Sequence, residues 1–121
     1  MGEIKIFDAE MYLMDKIWDE GTIKAIDLAN WATDNLGWKK CSTYSMLRKL
    51  LEKHAVKRDE PGFVLTPLVT REQIAVEETN LLIEKMFKGN KKQFLMTFMS
   101  SNNLDEAEIE ALRKIIEKSE D

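Results

Sequence analysis

The chain has 121 residues, is 44% hydrophobic and 33% charged, and carries a formal net charge of −4. That composition fits one soluble globular domain, or a small domain with an appendage, able to bury roughly 65–70% of its unfolded surface. No run of about 18 apolar residues exists, so no membrane insertion is expected. The opening residues are too few and too polar for a secretory signal, and the single cysteine, Cys41, excludes an internal disulfide and fits a reducing, cytoplasmic setting.

Helices dominate the pattern. The first is predicted to begin with Asp8 as N-cap, to set Tyr12, Leu13, Ile17 and Trp18 on one side, and to stop near Glu20-Gly21. Thr22-Ile23 reads as a brief extended link. A second helix follows from about Lys24 to Leu36, with Ile26, Leu28, Ala29 and Ala32 among its apolar positions and Gly37 as its left-handed stop. The third helix spans about Lys40 to His54. Two short strands come next, Val56–Arg58 and Phe63–Thr66, turned by Glu60-Pro61-Gly62. Three helices and a hairpin in this order make a winged helix-turn-helix layout.

The second half is helical throughout. Thr70 and Gln73 form a capping box, and the helix behind it carries Ile74, Leu81, Leu82, Met86 and Phe87. Gly89-Asn90 breaks the chain before a short helix with Phe94, Leu95, Phe98 and Met99. Asp105 caps the last helix, whose apolar stripe is Ile109, Leu112, Ile115 and Ile116. The expected fold class is therefore mainly α with a small β-hairpin: a winged helix-turn-helix domain at residues 1–70 and a helical dimerisation region at 71–121. The last three helices are too thin to make a core alone. A second copy of the chain, related by a two-fold axis, covers them most economically. Leu82, Met86, Phe94, Leu95, Phe98, Ile109, Leu112 and Ile116 are the candidate dimerisation residues; packing back onto the N-terminal half is the other arrangement.

Charge is unevenly spread. Between Trp38 and Arg58 lie Lys39, Lys40, Arg48, Lys49, Lys53, Lys57 and Arg58, opposed only by Glu52, inside a chain of net negative charge. Local field steers binding more than net charge does. With Leu47 at the centre of the buried face, Thr43, Tyr44, Leu50 and Leu51 cluster with it at 3.6 residues per turn. Ser42, Ser45 and Lys49 then fall on the opposite face, flanked by Arg48 and Lys53. Hydroxyls that bond bases or phosphates and a lysine that favours guanine or phosphate suit a groove of duplex DNA. An ordinary solvated surface helix would carry the same residues. In the wing, Lys57 and Arg58 are expected to meet phosphates and to add affinity without specificity, unless Asp59 and Glu60 at the turn repel the backbone.

Other chemistry finds little support. Cys41 lies near a helix N-terminus beside Lys39 and Lys40, which lowers a thiol pKa, but an incidental small residue reads the same way. His54 is the only histidine, so a zinc site lacks ligands. Glu106, Glu108 and Glu110 crowd one solvated helix face. No Gly-rich phosphate loop and no nucleophile-elbow motif occurs. No cofactor, metal or enzymatic activity is expected. Trp18, Trp31 and Trp38 read as core or hinge packing, and the methionines as filling for irregular gaps.

Taken together, several segments resemble the penicillinase-repressor family of bacterial transcription regulators. They are D-A-E-x-x-L-M-D-x-I-W at 8–18, Trp38 ahead of the third helix, S-T-Y-S-M-L-R-K-L at 42–50, T-P-L-V-T at 66–70, F-K-G at 87–89 and L-D-E-A-E-I-E-A-L at 104–112. The resemblance implies a dimeric repressor that binds an inverted repeat, inserts its third helix in the major groove and interlocks its C-terminal helices. Relatives commonly hold Thr, Thr and Arg where this chain has Ser42, Ser45 and Lys49. Two departures fall in the third helix and wing: His54 replaces a usual glycine, and Leu65 stands where a tyrosine is frequent. In the beta-lactam branch a membrane sensor-protease triggers cleavage of the repressor, and the matching bond is Thr97–Phe98, with Thr97 in place of the usual Asn; Phe98 equally suits a dimer core. The copper branch ends in paired Cys-x-Cys motifs, which this chain lacks, so copper-thiolate sensing by that route is excluded. The expectation from sequence is a double-stranded DNA operator and a second copy as partners. The rival is a winged-helix protein-interaction module that does not bind DNA.

Overall fold

A computed structural model describes residues 4–101 and 103–119. The chain divides into two compact units, Met1–Thr79 and Asn80–Asp121, so the first takes in the opening turns of the helix that begins at Arg71.

In the first unit, α1 (Asp8–Glu20), β1 (Ile23–Lys24), α2 (Ala25–Leu36), α3 (Lys40–Glu52), β2 (Val56–Asp59) and β3 (Val64–Pro67) follow in order. α1 buries Glu10, Leu13, Met14 and Ile17, a three- and four-residue spacing that puts all four on one face. The N-cap is Phe7 rather than the expected Asp8. Phe7 has no polar side chain to cap with, and instead Glu10 reaches back to accept the Phe7 N–H at 2.9 Å, which is half of a capping box. Trp18 keeps its place beside the core, while Tyr12 is exposed. In α2 the buried positions are Ala25, Leu28, Ala29 and Ala32, and Ile26 is exposed. Gly37 stops α2 in the left-handed conformation, φ 72° and ψ 20°, which glycine adopts without a Cβ clash. α3 buries Thr43, Leu47 and Leu50. Leu13, Met14, Ile17, Leu28, Leu47, Leu50, Val56, Leu65 and Ile74 meet in one core. Each such aliphatic side chain contributes roughly 1.5–3 kcal/mol when taken fully from water.

The hairpin is part of a three-stranded antiparallel sheet with order β1-β3-β2. The segment read as an extended link is thus a true edge strand: Ile23 faces Leu65 and Lys24 faces Val64 across β3. On the other side, Lys57 faces Thr66 and Arg58 faces Leu65. Val56 and Leu65 are buried in the core, and Lys57, Arg58 and Asp59 are exposed.

Beyond the sheet, α4 (Arg71–Phe87) starts at the expected capping box: Thr70 N–H donates to Gln73 Oε1 at 2.8 Å and Gln73 N–H to Thr70 Oγ1 at 3.0 Å. In the second unit, Asn90 caps α5 (Lys91–Ser101) by accepting the Gln93 N–H at 3.0 Å. Asp105 and Glu108 make a reciprocal box at the start of α6 (Glu106–Ser119), at 2.8 and 3.0 Å. Phe94 packs edge-on to Phe87 and stacks with Phe98 at centroid distances of 5.7 and 6.2 Å.

Candidate nucleic-acid interface

The burial of Thr43, Leu47 and Leu50 fixes which face of α3 looks outward. Ser42, Ser45, Arg48 and Lys49 are all exposed, as are Lys39 and Lys40 at the helix start. Lys39, Lys40, Arg48 and Lys49 form no ion pair among the described residues. The helix has 13 residues and is about 20 Å long, with Lys39 and Lys40 at its start, Arg48 and Lys49 toward its end and the two exposed serines between them in sequence.

Both ends of α3 are held in place. At its start, Thr33 Oγ1 donates to the Trp38 carbonyl at 2.7 Å, and Trp38 meets Tyr12 edge-on at 6.3 Å. At its end, the Lys53 ammonium pairs with Glu10, donates to the Lys5 carbonyl at 2.6 Å and lies 4.6 Å from the centre of the Phe7 ring. Lys53 therefore departs from its expected place beside the groove-reading stripe. Glu10 is 3% exposed, and a buried carboxylate needs a counter-charge, which Lys53 supplies. The next residue, His54, sits at φ 64°, where an L side chain crowds its own backbone and a glycine would not.

The wing joins α3 through aromatic contact. Tyr44 and Phe63 rings lie 6.1 Å apart, and the Arg58 guanidinium carbon is 3.6 Å from the Phe63 centroid. Tyr44, Arg48, Leu51, Arg58 and Phe63 line a slot of about 200 Å³. The wing cations, unlike those of α3, have acidic partners: Lys57 pairs with Asp59 at 3.5 Å and Arg58 with Glu60. The Arg58 hydrogen bond, followed by the Phe63 N–H, holds the Glu60 carboxyl below the usual carboxylate range. Asp59 and Glu60 thus turn toward the wing's own cations.

One cation lay outside the sequence reading. Lys24 is exposed, and its Cε lies 3.9 Å from where a Cβ on Gly62 would stand, which sets it beside the wing turn. Its signal was obscured because the pairing of β1 with β3 crosses forty residues of chain and leaves no local mark. Cys41 is free and exposed, and His54 is exposed. Among the described residues no group of three or more His, Cys, Asp or Glu is placed to hold a metal ion, and no helix is long and apolar enough to cross a membrane.

The candidate dimerisation residues lie mostly at the surface. Leu82, Met86, Leu95, Phe98, Ile109 and Ile116 are exposed, while Phe94 and Leu112 are half-buried. Thr97 and Phe98 are in the middle of α5, and the Thr97 carbonyl accepts the Ser100 and Ser101 hydroxyls at 3.2 and 2.8 Å.

A three-helix core, a three-stranded sheet with a wing and an outward basic third helix define a winged helix-turn-helix protein. The chain belongs to the penicillinase repressor family, which it matches over residues 6–118; the family is one of repressors, not of enzymes. It is similar to the penicillinase repressor of Bacillus licheniformis, 23% identical over 116 residues that cover 94% of this chain and 91% of that one. It is also similar to the methicillin resistance regulatory protein MecI of Staphylococcus aureus (strain N315), 25% identical with 94% of each chain covered. Among solved structures, the DNA binding domain of the repressor BlaI superposes with a TM-score of 0.54 at 26% identity, covering 60% of this chain and 93% of that one.

Proposed function

We propose that this protein is a dimeric transcriptional repressor that binds an inverted repeat in duplex DNA through α3. The observation that carries the reading is the outward edge of α3, where Lys39, Lys40, Arg48 and Lys49 lack ion-pair partners among the described residues and flank Ser42 and Ser45. Such a helix meets phosphates with its cations and base edges with Ser42, Ser45 and Lys49. The likeness to the DNA binding domain of BlaI supports the same assignment.

The dimer assignment rests on the exposed apolar residues of α4, α5 and α6. Leu82, Met86, Leu95 and Ile109 are large apolar side chains exposed on these helices, the kind of surface that marks an interaction site. A self-complementary two-fold interface removes it with no new component, with Phe94 and Leu112 at its inner edge. Phe98 belongs to that surface in this reading rather than to a cleavage site. Its bond to Thr97 lies within a helix, and the Thr97 carbonyl is occupied by Ser100 and Ser101. A sensor-protease acting there would first have to unwind α5. The protein acts in the cytoplasm, where its duplex target lies.

Selection from random duplex DNA with the full-length protein tests the reading. Enrichment of an inverted repeat with half-sites about one helical turn apart, or a multiple of it, is the expected result. Failure to enrich any sequence at low salt, together with salt-indifferent capture of a protein partner, would replace it with a protein-interaction module.

A further inference from the structure

Within the hairpin, Asp59 and Glu60 match Lys57 and Arg58 in charge and are aimed at them, while Lys24 stands beside the turn from β1. Lys57 Nζ lies 3.5 Å from Asp59 Oδ2, and Arg58 Nε pairs with Glu60 Oε2. Glu60 is fixed at the wing tip by a second bond, its Oε1 accepting the Phe63 N–H at 3.2 Å. Arg58 is fixed by its stacking over Phe63 at 3.6 Å. All four side chains remain about half exposed, so pairs of this kind contribute little to folding. Their larger consequence is on the field outside the protein.

We propose that Asp59 and Glu60 are affinity-limiting residues: they cancel Lys57 and Arg58, so the wing lies beside the DNA backbone without adding attraction. This rests on the DNA-binding reading of α3. Attraction to a duplex comes from counterions released when cations neutralise phosphates, at about 0.9 in log–log salt slope per phosphate. A cation that already has a carboxylate within 4 Å brings that carboxylate to the phosphates with it. The Phe63 N–H bond to Oε1 holds Glu60 at the wing tip independently of its pairing with Arg58 through Oε2. The Glu60 carboxyl, held below its ordinary range by Arg58 and then by Phe63, stays charged at neutral pH. The α3 cations have no such partners among the described residues, and the attraction is concentrated there. A silent wing keeps the protein releasable from random DNA.

The test is full-length Asp59→Asn/Glu60→Gln against wild type on random-sequence duplex across a salt series. Each amide keeps one oxygen acceptor, enough at position 60 for the Phe63 N–H, and a melting curve checks folding. The expected result is affinity at least about ten-fold higher at 0.1 M salt and a log–log slope steeper by about 2, with each single substitution giving about half the change in slope. An unchanged affinity and slope would overturn the proposal. So would weaker binding, which would mean that Glu60 instead holds Arg58 in place for a phosphate. Wild-type protein that binds no duplex even at low salt would remove the DNA reading itself, a result separable from the other two.

Discussion

The two units of this chain treat their apolar residues in opposite ways. In the first, Leu13, Met14, Ile17, Leu28, Leu47 and Leu50 have no measurable exposure, because α1, α2, α3 and the sheet face one another across a shared core. In the second, α5 buries no residue, and Leu95 and Met96 are 49% and 57% exposed. Local helix quality does not explain the difference, since α5 and α6 are both capped by side chains, Asn90 for one and Asp105 with Glu108 for the other. The first unit buries its apolar residues against its own elements, and the second leaves Leu82, Met86, Leu95 and Ile109 exposed. In the proposed repressor, the first unit would read DNA and the second would supply the surface for assembly.

The sharpest way to break this contrast is to damage each side and watch what fails. Leu47→Ala removes a fully buried side chain beneath the α3 edge and should lower the unfolding free energy by about 4 kcal/mol, read by denaturant melts. Leu95→Glu puts a charge on an exposed position and should leave the melt of the first unit in place. It should raise the dimer dissociation constant on the order of 100-fold, about 3 kcal/mol, read by sedimentation. A neutral outcome for Leu95→Glu would mean that α5 faces solvent in the working protein.

Two lysines, Lys49 in α3 and Lys53 at its C-cap, differ in the same way. Lys53→Ala leaves Glu10 buried without its counter-charge and should cost about 3 kcal/mol of stability. Lys49→Ala should leave stability within about 0.5 kcal/mol yet weaken binding to a selected site by about 2 kcal/mol and relax its sequence preference. An equal loss on random DNA would make Lys49 a phosphate contact only. The smallest change expected is His54→Gly, which relieves a residue at φ 64°. Net of glycine's extra unfolded-state entropy it should stabilise the first unit by about 0.5–1 kcal/mol, seen as a higher melting temperature.

Much of the first unit was legible from local pattern. The three- and four-residue spacing of apolar positions located α1, α2 and α3, Gly37 marked the end of α2, and Thr70 with Gln73 marked the start of α4. The outward face of α3 followed from placing Leu47 inward. What stayed hidden depends on partners distant in sequence. β1 has two residues and exists as a strand only because β3 pairs with it. Lys53 reads as one more surface cation until Glu10, 43 positions earlier, is seen buried beneath it. The wing's acids were legible as residues but not as partners, because side chains two apart along an extended chain share a face only once the strand forms.

The most direct test is a hydroxyl-radical footprint of the full-length protein on its selected duplex. The account predicts two symmetric protected segments, centred about 34–36 Å or a multiple of that apart, one for each α3 of a dimer. A single protected segment, or none at a salt concentration where binding is complete, would contradict it.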